Sequence, residues 1–302
     1  MATDGTRLGI IASALGGDPR RATRESREAG FAGLLFEAAS AAIDLTALTG
    51  SGRKEVRNVL SSQDQQLIGL RADIGPAGFG PGSDIDRAIS GLDEVMETAA
   101  ELGAPLVCVD LGPLPPAAVI EREKPAVTAH QAGLILLPES AAAPPKPPGP
   151  REAPADPAFV DQVNSALAEL GHHADRYSVV LAFATELASF ASLAQSLRQA
   201  ACPWFGIDLD PVALLRDEWE PDEFFSRLGA LVRHVRGRDA VGGAGRRTKP
   251  AIVGQGSVQW ESLLAGLDAS GYHGWITLDP IDLADRPRAA LGGLKYLNAL
   301  RA

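Results

Sequence analysis

The chain has 302 residues, of which 45% are hydrophobic and 22% charged, enough apolar material for a large core and enough charge to keep the folded protein in solution. A formal net charge of −10 opposes a general nucleic-acid surface, because phosphate binding depends on Lys and Arg releasing counterions. The opening segment carries neither a basic stretch nor a long apolar run, and no stretch of eighteen apolar residues occurs, so no membrane partner and a cytoplasmic location are expected.

In chain order, short apolar runs alternate with longer helical patterns. A strand near Leu8–Ala14 precedes a helix near Pro19–Ala29, stopped by Gly30. The second strand, Phe31–Phe36, leads to a helix around Arg53–Gln65. The third, Leu67–Ile74, leads to a helix capped at Ser83-Asp84 and closed by Gly103. Pro105–Leu111 is the fourth strand. A helix near Ala158–Tyr177 then precedes the fifth, Val179–Thr185, and a helix at Leu187–Ala200 follows it. Trp204–Asp210 is the sixth strand, with Glu223–Leu231 as its later helix. Val232–Asp239 is the seventh, followed by a helix at Val258–Ala269. Gly274–Asp279 is the eighth, before a last helix near Arg286–Leu300.

Eight such units predict a single (β/α)₈ barrel, an α/β fold spanning 1–302 as one domain. The rival is a doubly wound open sheet, which places a glycine-rich phosphate loop after its first strand. Here that position reads Leu15-Gly16-Gly17-Asp18-Pro19, which is not G-x-G-x-x-G. An insertion of about residues 112–156 follows the fourth strand. Its proline-rich core, Ala141–Pro150, continues neither a helix nor a central strand, and the reading is a surface segment, with a lid over the barrel mouth as the alternative. Gly133–Pro138 is a small apolar run that would anchor it.

Alternation places Asp208 and Asp210 on one face of the sixth strand, and Trp275, Thr277 and Asp279 on one face of the eighth. A carboxylate at the carboxyl end of a barrel strand is a functional candidate; the competing reading is a hydrogen-bonded loop cap. Asp73 and Asp110 end the third and fourth strands, where each binds a hydroxyl or merely salt-bridges. The seventh strand and its loop concentrate Arg233, His234, Arg236, Arg238, Arg246, Arg247 and Lys249, with a Gly242–Gly245 run that permits close backbone approach. An Arg fork there suits a carboxylate or phosphate; the competing reading is a solvated flexible loop with Arg236 paired to Asp210 or Asp279. Cys108 and Cys202 lack metal spacing and are expected to be buried thiols. His172 and His173 read as surface residues, and the four tryptophans as core or pocket wall.

From the sixth strand onward the chain resembles the xylose isomerase-like superfamily of sugar isomerases and epimerases, inosose dehydratases and the endonuclease IV group. The resemblance is carried by Phe205–Pro211, His234–Ala240, Val253–Trp260 and Gly271–Asp279 in order and spacing, and by Ala29-Gly30-Phe31-Ala32-Gly33 in the first half. It implies a sugar, sugar-phosphate or polyol isomerase or epimerase with a divalent metal (Mn, Mg, Zn or Co) near the barrel axis. Its implied catalytic and metal residues are Asp210 and Asp279; Asp208, His234, Arg236, Arg238, Asp239 and Gln255 are the expected ligand-binding set.

The carry-over is incomplete. The fifth-strand Glu falls on Ala184, the inner seventh-strand His on Arg236, and the His after the sixth strand is missing from Val212-Ala213-Leu214. Glu186, two residues past Ala184, either replaces the missing ligand from higher up or caps the next helix. An arginine repels a cation at a former ligand position, so the expectation is a degraded metal site that holds metal weakly if at all. The alternative is a non-catalytic or metal-independent barrel binding a small anionic or polyhydroxylated ligand. For either reading a homo-oligomer is a candidate assembly that the sequence does not decide. Abasic-site DNA cleavage requires His and Glu ligands that this chain lacks.

Overall fold

A computed structural model describes residues 7–117, 156–242 and 247–301. Eight strands close a parallel barrel: β1 (Arg7–Ile11), β2 (Gly33–Glu37), β3 (Gln66–Ala72), β4 (Leu106–Asp110), β5 (Val180–Ala184), β6 (Phe205–Leu209), β7 (Val232–Gly237) and β10 (Trp275–Leu278), with β1 pairing β10 to complete the ring. Between β7 and β10, β8 (Asp239–Gly242) and β9 (Thr248–Ala251) form a separate antiparallel pair. The expected seventh strand is therefore too long: it ends at Gly237, and Asp239 belongs to the hairpin.

The helices are α1 (Pro19–Ala29), α2 (Gly50–Ser62), α3 (Ile85–Leu102), α4 (Pro157–Tyr177), α5 (Phe190–Ala200), α6 (Pro211–Asp217), α7 (Pro221–Leu228), α8 (Trp260–Ala269) and α9 (Arg286–Leu300). Their starts follow capping chemistry. Asp18, Asp84, Asp156, Ser189, Asp210 and Asp285 each accept a backbone N–H of the first turn, and Pro at the first position of α1, α4 and α6 needs no partner. The helix α6 is absent from the sequence reading, although Asp210-Pro211 is a cap followed by a first-turn proline.

The period of two decides what faces the axis. In β6, Phe205, Ile207 and Leu209 are buried against the helical ring while Asp208 lies inside the barrel. Toward the amino end Trp275 fills the interior, with the Arg7 guanidinium 4.4 Å from its ring centroid. Gly33 makes room for it, since a Cβ there would lie 2.9 Å from Trp275 Cη2. The next inward positions are polar: Asp208, His234 and Thr277, with Cys108 beside them.

The inserted segment lies between β4 and α4, and its proline-rich core and the Gly133–Pro138 run fall outside the described residues, as do Gly243–Gly245 and Arg246 of the basic loop. No helix among the described residues is long and apolar enough to cross a membrane. Cys108 is buried and free as expected, but Cys202 is only half-buried. His172 is exposed and His173 pairs with Asp93 at 2.8 Å.

Candidate active site at the barrel mouth

A cleft of about 520 Å³ opens at the carboxyl end of the strands, within the ~300–1,000 Å³ range of small-molecule sites. Its floor is a network of three arginines and their carboxylates. Arg236, on β7, is buried. Its Nε donates to Asp208 Oδ2 over 2.7 Å and its Nη1 to Glu186 Oε1 over 2.6 Å. Arg238 donates to Asp210 Oδ2 over 2.8 Å and to Asp282. Arg71, on β3, donates to Asp279 Oδ2 over 2.6 Å.

Beneath Arg236, Asp208 is fully buried and its second oxygen meets His234 Nδ1 at 2.7 Å. Burial alone would raise the Asp208 carboxyl, but Arg236 and His234 outweigh it and hold the group well below the usual carboxylate range. An ionised carboxylate only accepts, so Nδ1 carries the proton. His234 Nε2 is in turn engaged by Thr277 Oγ1 at 2.7 Å. Both ring nitrogens of His234 are thus committed inside the barrel, one level below the cleft.

The carboxylates divide by environment. Asp279 is buried, yet Arg71 and Arg236 keep its pKa low. Asp210 is raised, because its burial outweighs Arg238 and Arg236. Asp110 is raised by burial too, although Gly112 N and Glu186 N donate to its two oxygens at 2.7 and 2.8 Å.

Of the sequence candidates, Arg236, Arg238 and Asp279 line the cleft, together with Asp73, Asp110 and Glu186. Asp208 and His234 support it from below. Asp210 stands behind Arg238 and caps α6 through Val212 N at 2.9 Å. Arg236 pairs with Asp208 and Glu186, not with Asp210 or Asp279 as the sequence alternatives had it.

Asp239 is turned into the 254–260 turn, accepting from Gly254 N at 2.8 Å, Val258 N at 3.1 Å and Trp260 Nε1 at 3.2 Å. Gln255 is exposed and lies outside the cleft lining, near α9. The sequence reading singled out none of Glu37, Arg71, Leu187, Ile281 and Asp282, which also line the cleft; Arg71 and Glu37 pair in register across β3 and β2. For Arg71 and Glu37, a lone charge on an otherwise apolar inward face was the available signal.

The donor set does not fit a divalent cation at the positions the family would use. At the strand ends Ala184 offers no ligand, the Arg236 guanidinium occupies the next position, and Asp210 and Asp279 each give one oxygen to an arginine. Deeper in, ligand atoms of Cys108, Asp208 and His234 lie within 4.8 Å of one another. There both Asp208 oxygens and both imidazole nitrogens are already bonded, and burial pushes the Cys108 thiol far from its thiolate form.

A closed eight-stranded parallel barrel with an acid-rich, arginine-bridged cleft at the strand carboxyl ends has that cleft on the face where such barrels carry their active sites. The chain belongs to the xylose isomerase-like TIM barrel family, whose profile matches residues 23–300. Among solved structures it is similar to a xylose isomerase domain protein from Planctomyces limnophilus, with 16% identity, 98% of this chain and 97% of that one covered and a TM-score of 0.69. It is also similar to the apo form of 3-keto-D-glucoside 4-epimerase from E. coli, with 15% identity, coverages of 97% and 99% and a TM-score of 0.67. A third is D-psicose 3-epimerase with D-tagatose from Clostridium cellulolyticum H10, with 12% identity, coverages of 98% and 99% and a TM-score of 0.67. At these identities the likeness establishes the fold. Comparison with curated proteins gave no match.

Proposed function

We propose that this protein is a sugar isomerase- or epimerase-like barrel whose metal site is degraded, and that it takes a neutral polyhydroxylated ligand on the arginine-bridged floor of the cleft. The observation that carries this reading is Arg236, a buried guanidinium fixed between Asp208 and Glu186 where a relative would place a metal ligand. Six carboxylates line the cleft (Glu37, Asp73, Asp110, Glu186, Asp279 and Asp282) against three arginines, so the lining opposes an added anion and favours hydroxyl groups, which both donate and accept. Sugar-type isomerisation moves a proton at carbon beside a carbonyl. Arg236 and Arg71 would then supply the positive charge that stabilises the developing oxyanion, Asp279 would orient the ligand, and Asp110, with its raised pKa, would exchange the proton. Asp210, held behind Arg238, is proposed to act through that arginine.

A second reading, ligand binding without turnover, is favoured by one feature: Asp208 and Asp279 each contact an arginine and have lowered pKa values, which makes them weak bases. Incubating EDTA-treated protein with a panel of ketoses and aldoses in D₂O separates the readings. Deuterium entering the carbon next to the carbonyl, at a rate lost in Asp110→Asn, supports isomerase chemistry. Binding by calorimetry with no exchange supports the second reading, and binding of none of the sugars removes both.

A further inference from the structure

Four large hydrophobic side chains are exposed among the described residues, and two of them, Leu187 at 59% and Ile281 at 37%, line the mouth of this one cleft. Neither exposure comes from a loosely held loop. Leu187 follows Glu186, whose carboxylate reaches down to Arg236 and whose backbone N–H donates to Asp110. The carbonyls on either side of Leu187, those of Glu186 and Ala188, accept from Arg216 at 2.6 and 3.0 Å. Ile281 precedes Asp282, which is drawn to Arg238. In both loops a carboxylate is tied into the arginine network while its neighbour, an aliphatic side chain, is left facing water. The cleft is therefore divided, with charged groups on the floor and fixed apolar groups on the rim.

We infer that Leu187 and Ile281 form an apolar subsite, and that the ligand class is a polyhydroxylated head bearing an apolar substituent, the head on the arginine-bridged floor and the substituent against the rim. This rests on the sugar reading above and narrows it. A plain sugar leaves both aliphatic side chains hydrated; an apolar substituent buries them, and burying one such side chain is worth enough to change affinity about tenfold.

The test is isothermal calorimetry on the full chain with the methyl and phenyl β-glycosides of glucose, galactose and mannose. At least one sugar is expected to bind about tenfold more tightly as the phenyl glycoside. Leu187→Ser and Ile281→Ser should each reduce that preference, and the double variant should abolish it, with methyl-glycoside affinity and melting temperature unchanged. Leu291→Ser, at an exposed leucine of α9, should retain the preference. Equal binding of methyl and phenyl forms by the unmodified protein, or a preference that survives in the double variant, overturns the subsite while leaving the sugar reading in place. A change of sedimentation state in the double variant, with the preference intact, assigns the two side chains to self-association and also overturns it. If the unmodified protein binds none of the six glycosides, the subsite is overturned, while the sugar reading is decided separately by the ketose and aldose panel.

Discussion

Arg236 and Asp208 form a buried ion pair in the barrel interior, Nε to Oδ2 at 2.7 Å, and the same carboxylate carries His234 on its other oxygen. Removing one member of such a pair leaves an uncompensated charge out of water, which costs far more than removing both. Arg236→Met is therefore expected to destabilise the fold by about 3–5 kcal/mol in urea unfolding. Asp208→Asn combined with Arg236→Met should recover a large part of that loss. Losses that simply add in the double variant would mean the two side chains do not depend on each other.

The cleft carboxylates give stability opposite pH dependences on the two sides of the ordinary carboxylate value. Asp208 and Asp279 have folded pKa values below it, so their contribution is present above that value and is lost as pH falls through the folded one. Asp110 and Asp210 have folded values above it, so their contribution is full below the ordinary value and is lost as pH rises through the folded one. The melting temperature should rise as pH is lowered from 7 toward roughly 4–5 and then fall steeply below that. A steady decline from pH 7 downward would show that Asp110 and Asp210 ionise as readily in the folded chain as in the unfolded one.

Asp239 holds the turn that leads into α8. Gly254 there has φ +86°, a left-handed conformation suited to glycine, and a Cβ at Gly256 would lie 2.1 Å from Asp239 Oδ1. Asp239→Ala strips partners from the N–H groups of Gly254 and Val258 and from the Trp260 indole, at ~1–3 kcal/mol for each donor left buried. Hydrogen exchange should quicken across 252–260 while the barrel strands stay protected. Unchanged exchange in that turn would remove Asp239 from this role.

The fold was legible because eight strand-helix units with their caps repeat along the chain, and the inward faces of β6 and β10 followed from the period of two. Pairing across strands was not legible. Whether Arg236 meets Asp208, Asp210 or Asp279 depends on the barrel's stagger: β6 pairs β7 with a register shift that sets Asp208 opposite His234, and Glu186 reaches over from the loop after β5. Sequence proximity to a family motif also hid the difference between Asp239, which serves a turn, and Asp279, which faces the cleft. Arg71 lies in a strand without a motif, so its role is visible only from its inward position between the outward, buried Leu70 and Ala72.

Divalent metal should bind this barrel weakly. On the degraded-site reading two strand-end ligands are missing, at Ala184 and Arg236; the Asp210 and Asp279 carboxylates are shared with arginines, so a cation would have to displace a guanidinium and recruit several waters. Protein purified without chelator is expected to carry well under one equivalent of Mn, Mg, Zn or Co by elemental analysis. Added metal should barely move its melting temperature, since stabilisation grows only as RT ln(1 + [L]/Kd). Arg236→His combined with Ala184→Glu removes the competing charge and supplies two ligands, and should raise Mn or Co affinity in direct titration. Arg236→His alone should do so less. Asp210→Ala in the double variant should abolish the gain, which ties it to the strand-end position and not to the deeper Cys108, Asp208 and His234 group. Stoichiometric, tightly held metal in the unmodified protein that disappears on Asp210→Ala would overturn the degraded-site reading and return the chemistry of the cleft to a metal-assisted isomerase.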